Sequence, residues 1–239
     1  LPDIRDHFGM SDAGITSLVA LTLLGALLLQ LPVAVLADRT SRTRLVVMGG
    51  VVWGVFAFLT GSAATIWMLI LVRSGAGVGR AVVDPTHNSL LSDYYSVDRR
   101  PAVFSFHQAS QAVGACIGPL AAGVLTNAFG WRAPFLVFAL PALVLVPMAM
   151  RLREPVRGAQ ERRAIGGSEE SIETEEPVPS FGEAWRLVWK VEVLRRIWYA
   201  IPFLAVAIVG FVSLAGLLYD RAFGLDALQR GTLAALIEP

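Results

Sequence analysis

The sequence is poor in the residues on which most soluble functions depend. Its single cysteine, Cys116, excludes a disulfide scaffold and any CxxC-type metal or redox site. Charge is scarce, at 16% of 239 residues, where soluble domains carry about 25%. A charge excess of either sign is absent too. Twenty Lys+Arg against 19 Asp+Glu leave +1, so no basic field exists to hold nucleic acid. Neither HExxH nor GxSxG occurs, and either would signal a hydrolytic enzyme. A phosphate-cradling GxxxxGK[ST] loop is missing as well, which favours gradient-driven over ATP-driven work. No cofactor or metal site is expected from these residues, and no β-barrel alternation runs through the chain.

What the chain has in abundance is apolar length: 55% of its residues are hydrophobic and the mean hydropathy is +0.60. A membrane span needs about 20 mostly apolar residues, because a backbone facing lipid must satisfy its own hydrogen bonds. Six stretches qualify: Gly14–Ala37, Leu45–Ala64, Ile66–Ser89, Val103–Thr126, Pro134–Met150 and Ile197–Leu218, and a seventh begins near Leu228. The expectation is an all-α, polytopic transmembrane helix bundle. Leu1 is not a start methionine and nothing near it resembles a signal peptide, so the chain reads as a piece of a longer protein.

Loop charge sets the orientation. Loops 38–44, 92–100 and 151–196 hold fourteen Lys/Arg and the loops on the other side hold four, which places the first set in the cytoplasm. Residues 151–196 alone carry nine basic and nine acidic residues. Gly158–Pro179, with its acidic run Glu169, Glu170, Glu173, Glu175 and Glu176, is expected to be a disordered linker. From Ser180 the pattern changes. Ser180-x-x-Glu183 is a capping box, and Phe181, Trp185, Val188 and Trp189 recur at helical spacing opposite Arg186, Lys190 and Arg196, predicting an amphipathic helix at the cytoplasmic membrane surface. The domain map is thus a first bundle over 1–150, a cytoplasmic loop over 151–196 and the start of a second bundle over 197–239.

Four features go beyond apolarity. In the short loop Asp38-Arg39-Thr40-Ser41-Arg42-Thr43-Arg44, Asp38 sits where a helix ends and would repel that helix's carbonyl dipole, so it needs an arginine or a helix N-terminus as partner. Along Ile66–Ser89, Arg73, Gly77, Arg80, Asp84 and His87 are spaced to share one face. Each central charge costs at least ~2.5–3.5 kcal/mol in lipid, so that face must meet water or protein. Gly114, Gly118 and Ala122 form a smooth stripe beside Pro119, which kinks its helix. His107, Gln108, Ser110 and Gln111 make a polar patch at the cytoplasmic start of the same span, with His107 able to titrate near neutral pH.

On these residues the chain resembles the major facilitator superfamily. Ala34, Asp38, Arg39, Ser41 and Arg42 follow that family's loop signature between its second and third helices, with Ala34 and Ser41 in place of glycines. Arg73, Gly77 and Gly79 match the helix-4 signature, and Gly114, Gly118, Pro119 and Gly123 match the helix-5 signature. The run Gly77-Val78-Gly79-Arg80-Ala81 through Pro85 to Asp93 is similar to spinster-type lipid transporters, which carry an acid where this chain has Arg80. The helix-5 signature is shared with drug/proton antiporters. The resemblance implies alternating access in a multi-pass cell-membrane transporter, a monomer surrounded by lipid, moving a small organic or lipid-like solute with protons as coupling ion. A multidrug/proton antiporter and a non-transporting membrane sensor or scaffold are the alternatives. Asp38, Arg39, Arg42, Arg73, Gly77, Gly79, Gly114, Gly118 and Pro119 would gate the change and couple it. Arg73, Arg80, Asp84, His107 and Gln111 would line the cavity, and the extra cation favours an anionic or zwitterionic amphiphile.

Overall fold

The computed structural model describes residues 1–174 and 179–237, apart from the side chains at positions 84, 205, 206, 208, 209, 212, 213 and 237. Helices account for nearly all of it, and there is no strand among the described residues. A short α1 (Pro2–Phe8) leads into α2 (Asp12–Arg39), capped by Ser11, whose Oγ accepts from the Gly14 N–H at 3.1 Å. After one tight turn α3 (Arg42–Gly61) returns, capped by Ser41. Then follow α4 (Ile66–Ala81), α5 (Val83–Tyr94), α6 (Arg100–Phe129) and α7 (Ala133–Ala149). The remaining helices are α8 (Ala159–Ala164), α9 (Glu169–Glu173), α10 (Phe181–Lys190), α11 (Glu192–Phe223) and α12 (Ala227–Ile237).

Among the described residues, Asp12–Arg39, Arg42–Gly61, Ile66–Tyr94 and Val97–Phe129 are long and apolar enough to cross a membrane, and Ala133–Ala149 is a shorter apolar helix. Lipid supplies no hydrophobic drive between helices, so close packing must come from small residues. A Cβ on Gly77 would lie 2.6 Å from the Thr22 carbonyl oxygen of α2, and one on Gly79 would lie 2.9 Å from the Trp53 backbone nitrogen of α3. Gly54 meets Ala142 and Gly61 meets Leu136 in the same way, locking α3 to α7.

Two expectations change. The span Ile66–Ser89 is interrupted at Val82: α4 stops at Ala81 and α5 restarts at Val83, the two crossing together as Ile66–Tyr94. Pro85 explains the break, because it has no N–H for the Ala81 carbonyl and its ring crowds that oxygen. The shared face from Arg73 to His87 is therefore divided between two helices, and the Asp84 side chain lies outside the described residues. The stretch expected to be a disordered linker is, as far as residue 174, docked on the bundle. The Gly158 N–H donates to Asp93 Oδ1 at 3.0 Å, Arg100 pairs with Glu161 at 2.8 Å, and Ile172 is buried. Composition predicted disorder because it does not register such specific anchors. The linker positions Glu175 and Glu176 lie outside the described residues.

The capping box on α10 is present in full, with Ser180 and Glu183 bonded reciprocally. Two ends of the molecule matter below: the Asp38 end, where α2 turns into α3, and the opposite Asp220 end, where α11 turns into α12.

Candidate functional site

At the Asp38 end the centre is Arg42, the first residue of α3 and only 1% exposed. Its guanidinium is shared between α5 and the segment that follows α7. Nε donates to Glu154 Oε1 at 2.8 Å, Nη1 donates to Asp93 Oδ2 and to Ser89 Oγ, and Nη2 donates to the Pro155 carbonyl at 3.1 Å. The second oxygen of Glu154 accepts from Ser41 Oγ, the Thr43 N–H and Thr43 Oγ1 at 2.9–3.0 Å. Burial alone would raise the Glu154 pKa, but the Thr43 N–H and the Arg42, Ser41 and Thr43 side chains outweigh it and bring the carboxyl down to about 2.

Arg157 closes the cluster from the segment after α7. Its Nη2 donates to the Ala37 and Thr40 carbonyls at 2.7 and 2.6 Å, satisfying the C-terminal end of α2. Gly158, which follows it, has φ +67°, and a Cβ there would lie 2.9 Å from Arg162 Nη1, so this bend requires glycine.

The expected gate residues separate here. Arg42 is bound inside the first group of helices. Arg39 is exposed, and Asp38 is 67% exposed with Arg157 Nη1 4.0 Å away. Asp38 thus has the expected arginine partner, held loosely. Asp93, Glu154 and Arg157 were missed in the sequence because all three look like ordinary loop charges. The one available signal was that a buried arginine demands a buried acid.

Deeper in the bundle, Arg73 on α4 is half-buried, with its Cζ 5.8 Å from the centre of the Phe135 ring of α7. No ion pair or hydrogen bond to Arg73 is present among the described residues. Gly77, on the same face, lies flush against α2, while Arg80 is exposed. Gln111 Nε2 lies 2.9 Å from His107 Nε2, and the His107 ring packs edge-on to His87 of α5 with 5.8 Å between centres.

The helix-5 stripe divides as well. A Cβ on Gly114 or Gly118 would meet nothing within 4 Å, whereas one on Gly123 would lie 2.7 Å from the Ala227 carbonyl and one on Gly231 2.5 Å from the Pro119 carbonyl. The contact between α6 and α12 is therefore made at Pro119, one of the residues expected to make it, and at Gly123, while Gly114 and Gly118 take no part in it. Gly123→Leu should force these helices apart by more than 1 Å and lower the thermal midpoint, whereas Gly114→Ala should leave it within a degree or two; a melting curve for each variant distinguishes the two sites.

At the Asp220 end a second ionic cluster ties residues 1–12 to residues 220–230. Arg5 donates to Asp12 at 3.0 Å and to Asp220 at 3.1 Å. Arg230 donates to Asp220 at 2.9 Å and to Asp3 at 2.8 Å, and Arg221 pairs with Asp12 at 2.5 Å. Beneath it lies an apolar plug of Ile4, Ile15, Leu18, Leu69, Trp131 and Leu217. This cluster was not anticipated, because its six charges are spread over two distant segments.

The sequence profile described as Major Facilitator Superfamily matches residues 1–237. The chain belongs to that superfamily. It is an integral, multi-pass membrane protein, as its family and its apolar helices together show. This superfamily member is similar to a probable L-galactonate transporter of Escherichia coli K12, 25% identical over 239 residues covering 98% of this chain and 52% of the relative. It is also similar to a lincomycin resistance protein of Streptomyces lincolnensis, 32% identical over 162 residues covering 64% of this chain and 32% of the relative. Its fold matches the crystal structure of a bacterial homologue of the human lysosomal transporter Spinster, inward-facing and unoccupied, with TM-score 0.75 and 22% identity over 98% of this chain and 54% of that one. The chain spans about half the length of these full-coverage relatives.

Proposed function

We propose that this chain forms five helices of one six-helix half, and the beginning of the other half, of a gradient-driven transporter that moves an organic anion by alternating access, with the Asp38 end in the cytoplasm. The observation that carries the substrate class is Arg73. A guanidinium about 10 Å inside the span has no anion among the described residues, while the arginines of both ionic clusters each have a carboxylate partner. A cation at that depth marks a ligand path, and its planar fork suits a carboxylate. Of the two relatives compared, one is named for a sugar acid and the other for an antibiotic; the lone cation favours the acid.

Flux of a radiolabelled sugar acid into proteoliposomes holding the full-length protein tests this reading, with the neutral sugar and lincomycin as comparators. Uptake of the acid alone supports it, and uptake of lincomycin alone places the protein with the drug exporters.

The second support is the placement of the contacts between α1/α2 and α11/α12, which lie at the Asp220 end. An ionic clasp there holds one mouth closed. Asp220→Asn weakens two of its links, and a coupling of about 1–3 kcal/mol would shift the closed-to-open ratio about 5- to 150-fold. Spin labels on the exposed positions Ser62 and Asp226 should then show a longer-distance population; an unchanged distribution would mean that the clasp is only surface pairing.

A further inference from the structure

The amphipathic α10 does not simply precede α11; it leans back on it through aromatic rings. Phe181, Trp185 and Trp189 form a stacked ladder, with centres 6.1 and 5.1 Å apart. The ladder meets α11 edge-on, Trp185 against Trp198 at 5.6 Å and Trp189 against Tyr199 at 6.2 Å. The level of these rings can be fixed from the other end of α11, where Asp220 joins the ionic cluster. From Trp198 to Asp220 the helix is continuous, and at 1.5 Å per residue this is about 33 Å, close to the ~30 Å hydrocarbon thickness of a bilayer. Trp198 and Tyr199 therefore stand at the opposite boundary, where such rings prefer to be. The ring contacts hold α10 at the same height.

Charge at that height is one-sided. Glu183 is engaged in the capping box and Glu192 pairs with Arg196 at 2.6 Å. Arg186, Lys190 and Arg195 remain exposed with no carboxylate partner among the described residues. Amphipathic rings at the boundary with three free cations beside them match the headgroup layer of an acidic leaflet.

We infer that α10 and the first turn of α11 form a binding surface for anionic phospholipid headgroups, with Arg186, Lys190 and Arg195 as the headgroup contacts and the Trp185–Trp189–Trp198 cluster as the membrane-facing anchor. The surface does not depend on what the protein transports, and its test reads no transport. The full-length protein is reconstituted with lipids brominated on the acyl chains, either phosphatidylglycerol or phosphatidylcholine, and tryptophan quenching is measured. The triple variant Trp185→Phe, Trp189→Phe and Trp198→Phe isolates the signal of this cluster by difference. The cluster should be quenched by both lipids, with a preference for phosphatidylglycerol of at least about five-fold, the effect of a single surface cation where three are present. Arg186→Gln, Lys190→Gln and Arg195→Gln combined should bring that preference close to one while quenching by phosphatidylcholine persists. Equal quenching of the unaltered protein by the two lipids would overturn the inference without any variant. No quenching by either lipid would overturn it too, by showing that protein covers the face.

Discussion

Arg42→Met should lower the stability of the full-length protein by about 3–5 kcal/mol, because it leaves Asp93 buried and unpaired and removes the main cationic partner of Glu154. Methionine preserves the length of the side chain, so the loss reports the charge rather than a cavity. Thermal unfolding in detergent measures it, and a midpoint equal to that of the unaltered protein would mean that the cluster stabilises nothing. The double variant Arg42→Met with Asp93→Leu should recover part of the loss, since removing both members of a buried pair costs less than orphaning one. The cluster should also be acid-sensitive with a definite sign. The Glu154 carboxyl titrates at about 2 in the folded protein against 4.5 ordinarily. Its contribution is therefore complete above the ordinary value and is lost as pH falls from there towards 2. Between pH 5 and pH 3 the unaltered protein should lose stability more steeply than Glu154→Gln.

This buried cluster also shows what a sequence can and cannot reveal. Hydropathy located the four membrane-crossing segments found among the described residues and the shorter apolar helix Ala133–Ala149, because a lipid-facing helix must announce itself by composition. Local chemistry located the capping box at Ser180, because a cap lies within three residues of its partner. The break at Pro85 was legible in principle, since the clash with residue 81 is local, but the apolar pattern runs through it. The partners of Arg42 were not legible. Asp93 and Glu154 lie 51 and 112 positions away along the chain, and nothing in their own neighbourhoods distinguishes them from solvated loop acids. The Asp220 cluster was hidden for the same reason, with Arg230 reaching Asp3 across 227 positions. The docking of Gly158 and Ile172 was obscured by an acidic composition that otherwise signals disorder. Of the candidate site residues, Arg73 stood out because a cation well inside a span is anomalous before any partner is known.

Arg73 should respond to substitution in the opposite way to Arg42. Arg42 is held by two carboxylates, a hydroxyl and a carbonyl, and its removal deserts them. Arg73 has only the Phe135 ring near it among the described residues, a contact worth about 0.5–2 kcal/mol. Arg73→Lys keeps that charge over the ring, so the melting midpoint should stay within a few degrees of the unaltered protein. It loses the paired, planar donors that grip a carboxylate on two oxygens. Transport efficiency for an organic anion should then fall about 100-fold, which corresponds to ~2.7 kcal/mol of lost interaction in the occupied state. Arg73→Gln removes the charge as well and should abolish anion uptake. Both quantities are to be measured on the same purified preparation, because the ratio between them separates the two roles. A variant that melts far earlier while its folded fraction transports at the normal rate would make Arg73 a strut between α4 and α7. A variant that melts normally and transports a neutral solute normally, but no anion, would make Arg73 the carboxylate contact.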